Sequence, residues 1–301
     1  MRGIAALAIL LLAAGSTAAA AIAWMRLKRT PAETPETRRT GLGSLRTPVG
    51  GHEIFARVST RPAPPGRVPV VLVHGLVVSS RYMVPLARAL APDFPVYAPD
   101  LPGFGESSKP ARPLDVPELA RALLAWMRAL GLLPAALVGN SFGCQIIAEL
   151  AARHPEAVDR LVLQGPTMDA AARSLWVQIW RALRNGRREP AALGRLSRID
   201  YAKAGLPRAV ATMRAMIRDR IEDKLPRIGA PTLVVAGSRD PVTPPPWAEK
   251  VARLLPDGTL AVIEGGTHTL NYTEPERLAA LIEAFLLPTG EPAPLAGRVP
   301  A

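Results

Sequence analysis

The stretch Ala135–Gly143 reads AALVGNSFG, and it decides the fold. Its first half is an apolar run without charge, which predicts a strand buried on both faces of a parallel sheet. The run ends in Gly139–Gly143 (GNSFG), and a helical pattern begins at once at Phe142. A serine on such a strand-to-helix turn exposes its Oγ above the sheet edge, and glycines on either side leave room for neighbouring backbone. The sequence therefore predicts that Ser141 is a nucleophile.

Apolar runs of the same kind occur on both sides of this stretch, and helical patterns separate them. This alternation predicts an α/β protein with a mostly parallel, doubly wound sheet that carries helices on both faces. His52–Ser59 is more polar and is predicted to be an antiparallel edge strand. The predicted buried strands are Val68–Val73, Pro95–Asp100, Ala135–Gly139, Val158–Leu163, Thr232–Gly237 and Thr259–Ile263, and the predicted helices are Tyr82–Leu90, Val116–Leu130, Phe142–Arg153, Trp247–Leu255 and Pro275–Leu287.

One long segment interrupts the alternation. Residues 166–228 show successive helical patterns and no strand, and they contain 14 Lys and Arg against 6 Asp and Glu. Much of the net charge of +12 therefore lies in this insertion. We predict that it divides an α/β core made of residues 47–165 and 229–290, with residues 291–301 as a C-terminal tail.

The N-terminal segment has a different composition. Ile4–Met25 is 22 residues without charge, and a helix of that length reaches roughly 33 Å, enough to cross the core of a bilayer. The basic cluster within residues 26–29 favours a cytoplasmic flank. We therefore predict a single-pass N-terminal membrane anchor in residues 1–25 and a polar tether in residues 26–46. A signal peptide cleaved after Ala18–Ala20, followed by export, is the alternative.

The composition argues against several classes of site. A single cysteine, Cys144, excludes a disulfide within the chain and every multi-cysteine metal site. The four histidines include no HExxH pair, and no glycine-rich stretch is followed by the GK[ST] of a phosphate-binding loop. We expect neither a metal nor an organic cofactor.

Two residues late in the chain complete the expected chemistry. A serine hydroxyl is a weak nucleophile until a base accepts its proton, and a carboxylate must orient that base. His268 follows the predicted strand Thr259–Ile263, and Asp240 follows Thr232–Gly237. Together with Ser141 they fall at the carboxyl ends of strands, where open α/β sheets bind ligands. Asp169 is the alternative acid.

These motifs resemble those of the α/β-hydrolase family, in its branch with a serine nucleophile and a helical cap. Further matching motifs are His74-Gly75 and Asp100–Ser107 (DLPGFGES). The resemblance covers nearly the whole chain after the tether. It implies that the backbone N–H groups of Leu76 and Phe142 form the oxyanion hole, that residues 166–228 are the cap and that His74 is structural.

The resulting hypothesis is a serine hydrolase that cleaves a carboxylic ester or related acyl bond through an acyl-enzyme. The GNSFG turn also resembles hydrolases of C–C bonds in ring-fission diketones, although Thr269 stands where those proteins place an aromatic residue. A non-catalytic basic binding module is the other alternative. We expect a hydrophobic small-molecule acyl substrate and no nucleic acid, with contact to anionic lipid through the basic cap. The apolar cap residues that suggest this substrate are Leu175, Trp176, Ile179, Met213, Met216 and Ile217.

Overall fold

A computed structural model describes residues 19–32 and 40–287 of the 301-residue chain. Residues 19–28 are helical. Within the described ranges no helix combines the length and the apolar character that a bilayer crossing needs, so the prediction of a single-pass anchor is wrong for this part of the chain. Most of the predicted anchor, residues 1–18, lies outside the described residues, as does the predicted tail 291–301.

Eight strands form one sheet in the order β1-β2-β4-β3-β5-β6-β7-β8. The pairs β1–β2 and β2–β4 are antiparallel and every other pair is parallel, which confirms the predicted fold class. The strands are β1 (Leu42–Val49), β2 (His52–Ser59), β3 (Val70–Val73), β4 (Val96–Pro99), β5 (Ala135–Asn140), β6 (Val158–Gln164), β7 (Thr232–Gly237) and β8 (Gly258–Ile263).

The antiparallel end of the sheet differs from the prediction in one respect. His52–Ser59 is an antiparallel strand as predicted, but β1 pairs along its whole length and takes the edge position. Residues 42–46 of β1 belong to the segment predicted to be a tether. In β1 partly buried and exposed positions alternate, so it has no apolar run that would distinguish it from polar linker.

Helices cover both faces of the sheet, and the short strand β3 shows how. Val71 and Val73 pack into one buried apolar cluster with α2, α3 and α7, while Val70 and Leu72 pack into a second cluster with α1, α8 and α9. A strand alternates its side chains between faces, so a run buried throughout needs a helical layer on each side. The helices of these layers are α1 (Val84–Leu90), α2 (Val116–Ala129), α3 (Phe142–Arg153), α7 (Pro245–Leu254), α8 (Leu270–Thr273) and α9 (Pro275–Leu286).

Residues 166–228 contain no strand. Three helices, α4 (Leu175–Gly186), α5 (Ala191–Ala204) and α6 (Leu206–Arg218), lie between β6 and β7 with short 3-10 turns around them. The side chain of Gln145 on α3 donates to the carbonyl of Met216 (3.0 Å), and Lys203 on α5 pairs with Glu106 of the core (2.7 Å). These contacts hold the inserted helices above the carboxyl ends of the parallel strands.

Candidate active site

The turn between β5 and α3 has the geometry that the GNSFG motif predicts. Ser141 has a φ of 56° and a ψ of −119°, a region that side chains other than glycine adopt only under strain. A Cβ on Gly143 would lie 2.3 Å from the carbonyl oxygen of Val73, and one on Gly139 would lie 2.8 Å from the amide nitrogen of Cys144. Both positions therefore require glycine for the turn to close against β3 and α3.

His268 and Asp240 meet behind the cavity that Ser141 lines. The loop after β8 carries His268, whose Nδ1 lies 2.7 Å from Oδ2 of Asp240, in the turn after β7. Oδ1 of Asp240 accepts the backbone N–H groups of Val242 (2.7 Å) and Thr243 (3.0 Å), and the hydroxyl of Thr243 donates to Oδ2. The carboxylate is thus held with one oxygen directed at the imidazole.

The charges of this pair support each other. Burial is the largest single influence on both pKa values and disfavours the charged forms, but the charge attraction and the hydrogen bonds together outweigh it. The pKa of His268 therefore lies above its ordinary value, with Asp240 as the main raising influence and Glu189 as a smaller one. The pKa of Asp240 lies below its ordinary value because of His268 and Thr243. Such a pair can hold a proton on Nδ1 and stabilise an imidazolium.

Three residues that the sequence analysis did not single out connect the turn with the histidine loop. The amides of Gln164 and Asn140 donate to the carbonyl of His268 (2.8 Å and 3.2 Å), and Asn140 also donates to Gln164. Tyr82 donates to Oδ1 of Asn140 and accepts the N–H of Gly75 (2.7 Å). Buried polar groups in such a network fix one geometry because every broken bond leaves an unsatisfied group. Only the position of Asn140 beside Ser141 gave a signal in the sequence.

The two predicted oxyanion-hole residues both lie close to the nucleophile, one on the cavity that Ser141 lines and one next to it in the chain. Leu76 lines the same cavity as Ser141 and precedes Val77, whose φ is 53°. Phe142 is the first residue of α3, and N–H groups in the first turn of a helix have no partner within it. The helix dipole also favours negative charge at this end. The roles of these two residues and of Ser141, His268 and Asp240 remain predictions.

The other residues weighed in the sequence have structural partners. Nδ1 of His74 contacts the carbonyl of Gly75 (2.9 Å) and Nε2 accepts the N–H of Leu101 (3.0 Å), as expected of a structural histidine. Asp169 pairs with Arg181 (3.1 Å). Cys144 is fully buried, which raises its thiol pKa.

A cavity of about 320 Å³ lies between the sheet and the inserted helices. Met213 and Met216 line it, as the hydrophobic-substrate hypothesis requires. Leu175, Trp176 and Ile179 instead expose their side chains on the outside of α4. Across residues 19–32 and 40–287 no group of three or more His, Cys, Asp or Glu side chains is arranged to hold a metal ion. The cavity is lined from the core by Gly75, Leu76, Val78, Tyr82, Asn140, Ser141, Val242, His268 and Thr269.

Comparison with known proteins agrees with this architecture. The model of the alpha/beta hydrolase family matches residues 70–281. Pimeloyl-[acyl-carrier protein] methyl ester esterase of Neisseria meningitidis serogroup B (strain H44/76) is 29% identical over 242 residues, covering 72% of this chain and 92% of the esterase. Poly(3-hydroxyalkanoate) depolymerase of Ectopseudomonas oleovorans is 26% identical over 250 residues, covering 76% and 88%.

A solved structure extends the likeness to nearly the whole chain. It is described as a membrane phospholipase A, a novel bacterial virulence factor, and it superimposes with a TM-score of 0.73 at 27% identity, covering 95% of this chain and 98% of that one. The relatives are hydrolases, with esterases among them. The matched region contains Ser141, Asp240 and His268, together with the sheet that carries them. The chain belongs to the alpha/beta hydrolase family.

Proposed function

We propose that this protein is a serine hydrolase that cleaves a carboxylic ester through an acyl-enzyme intermediate. The observation that carries the proposal is the 2.7 Å contact between Nδ1 of His268 and Oδ2 of Asp240, in a site where His268 and Ser141 line one cavity. An imidazole with an oriented carboxylate, sharing a cavity with a serine on a strained turn, has the groups that nucleophilic acyl transfer requires.

The proposed reaction has two half-reactions. Oγ of Ser141 attacks the carbonyl carbon of the ester while Nε2 of His268 accepts its proton, and Asp240 stabilises the imidazolium. The N–H groups of Leu76 and Phe142 stabilise the oxyanion, each contributing roughly 10²–10³ in rate. His268 then protonates the departing alcohol. Water repeats the sequence on the acyl-enzyme, which releases the acid and regenerates Ser141.

The relatives support an ester of a hydrophobic acyl group as the substrate. Two of them are named for ester substrates, a methyl ester and a polyhydroxyalkanoate, and a third for phospholipids. The cavity volume of about 320 Å³ falls at the small end of the range for small-molecule sites. The methionines at positions 213 and 216 give it an adaptable apolar wall.

Labelling with a fluorophosphonate tests the nucleophile directly. We expect the wild-type protein to be labelled on the peptide containing Ser141 and the Ser141→Ala variant to lose all labelling, measured by mass spectrometry. Cys144→Ala is the matched control, since it replaces a small nucleophilic residue three positions after Ser141, in the first turn of α3. That control keeps its labelling because the buried thiol takes no part in the reaction. An unlabelled wild-type protein would contradict the proposal and favour the binding module.

A second proposal concerns the outer face of α4. Trp176, Trp180 and Leu183 are 77%, 57% and 65% exposed, and their spacing places them on one face of the helix. No acidic residue occurs in Leu175–Gly186, and the guanidinium of Arg184 lies 5.3 Å from the ring centre of Trp180. Tryptophan together with arginine on an amphipathic helix is typical of segments that lie on anionic lipid. We propose that this face rests on such a surface.

Vesicle co-sedimentation of the full chain tests this second proposal. Replacing both Trp176 and Trp180 with serine is expected to weaken binding to anionic vesicles by about 10-fold or more, since the two indole rings are the largest apolar side chains exposed on this face. The matched control replaces Leu206 and Val210, two exposed apolar residues of α6, with serine and retains binding. Equal binding of the wild type and the double tryptophan variant would contradict the proposal.

A further inference from the structure

The cap side of the cavity contains two oxygen atoms that accept no hydrogen bond. Asn185 near the end of α4 donates its amide to Oε1 of Glu189 at 3.0 Å, and both residues line the cavity. Because a carboxylate oxygen only accepts, this contact directs Oδ1 of Asn185 away from Glu189. Oδ1 of Asn185 and Oε2 of Glu189 are both buried, and neither contacts a donor in the described part of the chain.

The neighbouring arginines do not neutralise this carboxylate. Arg181 on α4 pairs with Asp169, and the guanidinium of Arg188 donates to the carbonyl of Arg239. No ion pair joins Glu189 to another residue of the described ranges. The negative charge of Glu189 nevertheless acts on His268. It raises the pKa of that residue, although by less than Asp240 does. Glu189 is thus an uncompensated negative group within electrostatic reach of the reacting atoms.

Such an arrangement is costly unless a hydrogen-bond donor completes it. Buried acceptors lose their hydration and gain nothing in return unless a donor reaches them. Asn185 is only 8% exposed, so bulk water reaches its side chain poorly. The remaining cap wall is largely apolar and includes Leu193, Met213 and Met216. A ligand that fits this surface is apolar along most of its length and donates hydrogen bonds at one point.

We propose that Asn185 and Glu189 bind a hydrogen-bond-donating group of the substrate, either a hydroxyl or an ammonium. The inference rests on the proposed ester hydrolysis and narrows its substrate class. The substrate is an ester whose apolar portion carries one such donor. A substrate with a carboxylate at that point is rejected, because Glu189 repels it and offers no donor to it.

Matched esters test the proposal. The probes are p-nitrophenyl esters of straight-chain acids that end in a methyl, hydroxyl, ammonium or carboxylate group, each at several chain lengths. At the best chain length the wild type is expected to prefer the hydroxyl or ammonium ending over the methyl ending by about 10-fold or more in kcat/KM. Glu189→Gln, which keeps the size of the side chain, is expected to remove most of the preference for ammonium. The preference for the hydroxyl ending is expected to fall less, because the neutral amide of glutamine still accepts a hydrogen bond from a hydroxyl.

Binding without turnover provides a second readout. Calorimetry of the intact esters with the Ser141→Ala variant, and with Ser141→Ala combined with Glu189→Gln, is expected to show the same loss of preference. Asp223→Asn is the matched control, because it removes one negative charge from an exposed position at the end of the cap. Unchanged selectivity in Glu189→Gln alongside normal hydrolysis would overturn the inference and leave the proposed function standing. A wild type that neither reacts with fluorophosphonate nor hydrolyses any ester would overturn the proposed function instead, whatever the calorimetry showed.

Discussion

Replacing Ser141 with alanine is expected to lower kcat for a hydrolysed ester by about 10⁶-fold. The proposed mechanism makes the loss this large, because in it the serine Oγ forms the covalent bond of the acyl-enzyme and no neighbouring group replaces it. Cys144, a nucleophilic side chain in the first turn of α3, is fully buried, with its Sγ donating to the carbonyl of Gly139 (3.1 Å). The measurement is steady-state turnover of an ester that the wild type hydrolyses.

Ser197 gives this experiment a control within the same cavity. It lines the cap wall, and its hydroxyl donates to the carbonyl of Leu193 at 3.0 Å. Ser197→Ala therefore removes the same atom from the same cavity and is expected to change kcat by less than about 10-fold. His268→Ala and the double variant with Ser141→Ala are expected to match Ser141→Ala, because the two residues act as a unit. Additive losses in the double variant would argue against a shared proton transfer.

The parts of the fold that the sequence predicts are those buried on both faces. Val70–Val73 and Ala135–Gly139 are runs without a polar side chain, and a central strand is the structure that best buries such short runs on both faces. The edge strand β1 was missed because Leu42–Val49 contains Arg46 and Pro48 and alternates in exposure. Its stability comes from pairing with β2 across the turn at residues 50–51, a contact that no local pattern expresses.

The candidate site also contains residues that the sequence predicts and residues that it does not. Ser141, Asp240 and His268 follow recognisable strands, so the topology of a parallel sheet brings them to one edge. Gln164 and Tyr82 were missed because their roles depend on which loop packs above them, and the sequence does not contain that information. For residues 166–228 the sequence pattern predicts helices, but it does not predict which face of each helix lines the cavity. Met216 therefore lines the cavity, whereas Trp176 on α4 faces outward.

The expected result for Asp240→Asn is a loss of about 10⁴-fold in kcat with the fold retained. Asparagine fits the pocket formed by the backbone of Val242 and Thr243. Its amide, however, can present a donor to Nδ1 of His268, which leaves the proton on Nε2 and prevents that nitrogen from accepting the proton of Ser141. The measurement is kcat together with a thermal melting curve.

The pH profile distinguishes this mechanism from a general loss of packing. His268 must be neutral to act as a base, so wild-type kcat/KM falls as the pH drops through the pKa of His268, which lies above its ordinary value. In Asp240→Asn the main raising influence is gone, the smaller one of Glu189 stays, and burial, which lowers the pKa, remains the largest influence. The acidic limb of the residual activity therefore moves to lower pH.

Asp169→Asn tests the alternative acid under the same conditions. One oxygen of its carboxylate accepts the N–H of Ala171 and the other pairs with Arg181. Neither oxygen makes a hydrogen bond to His268. For Asp169→Asn we expect the acidic limb of the pH profile to stay at the wild-type pH and kcat to change little. If Asp169→Asn moved the limb and Asp240→Asn did not, the carboxylate behind the imidazole would be Asp169, and the contact that carries the proposed function would have a structural role instead.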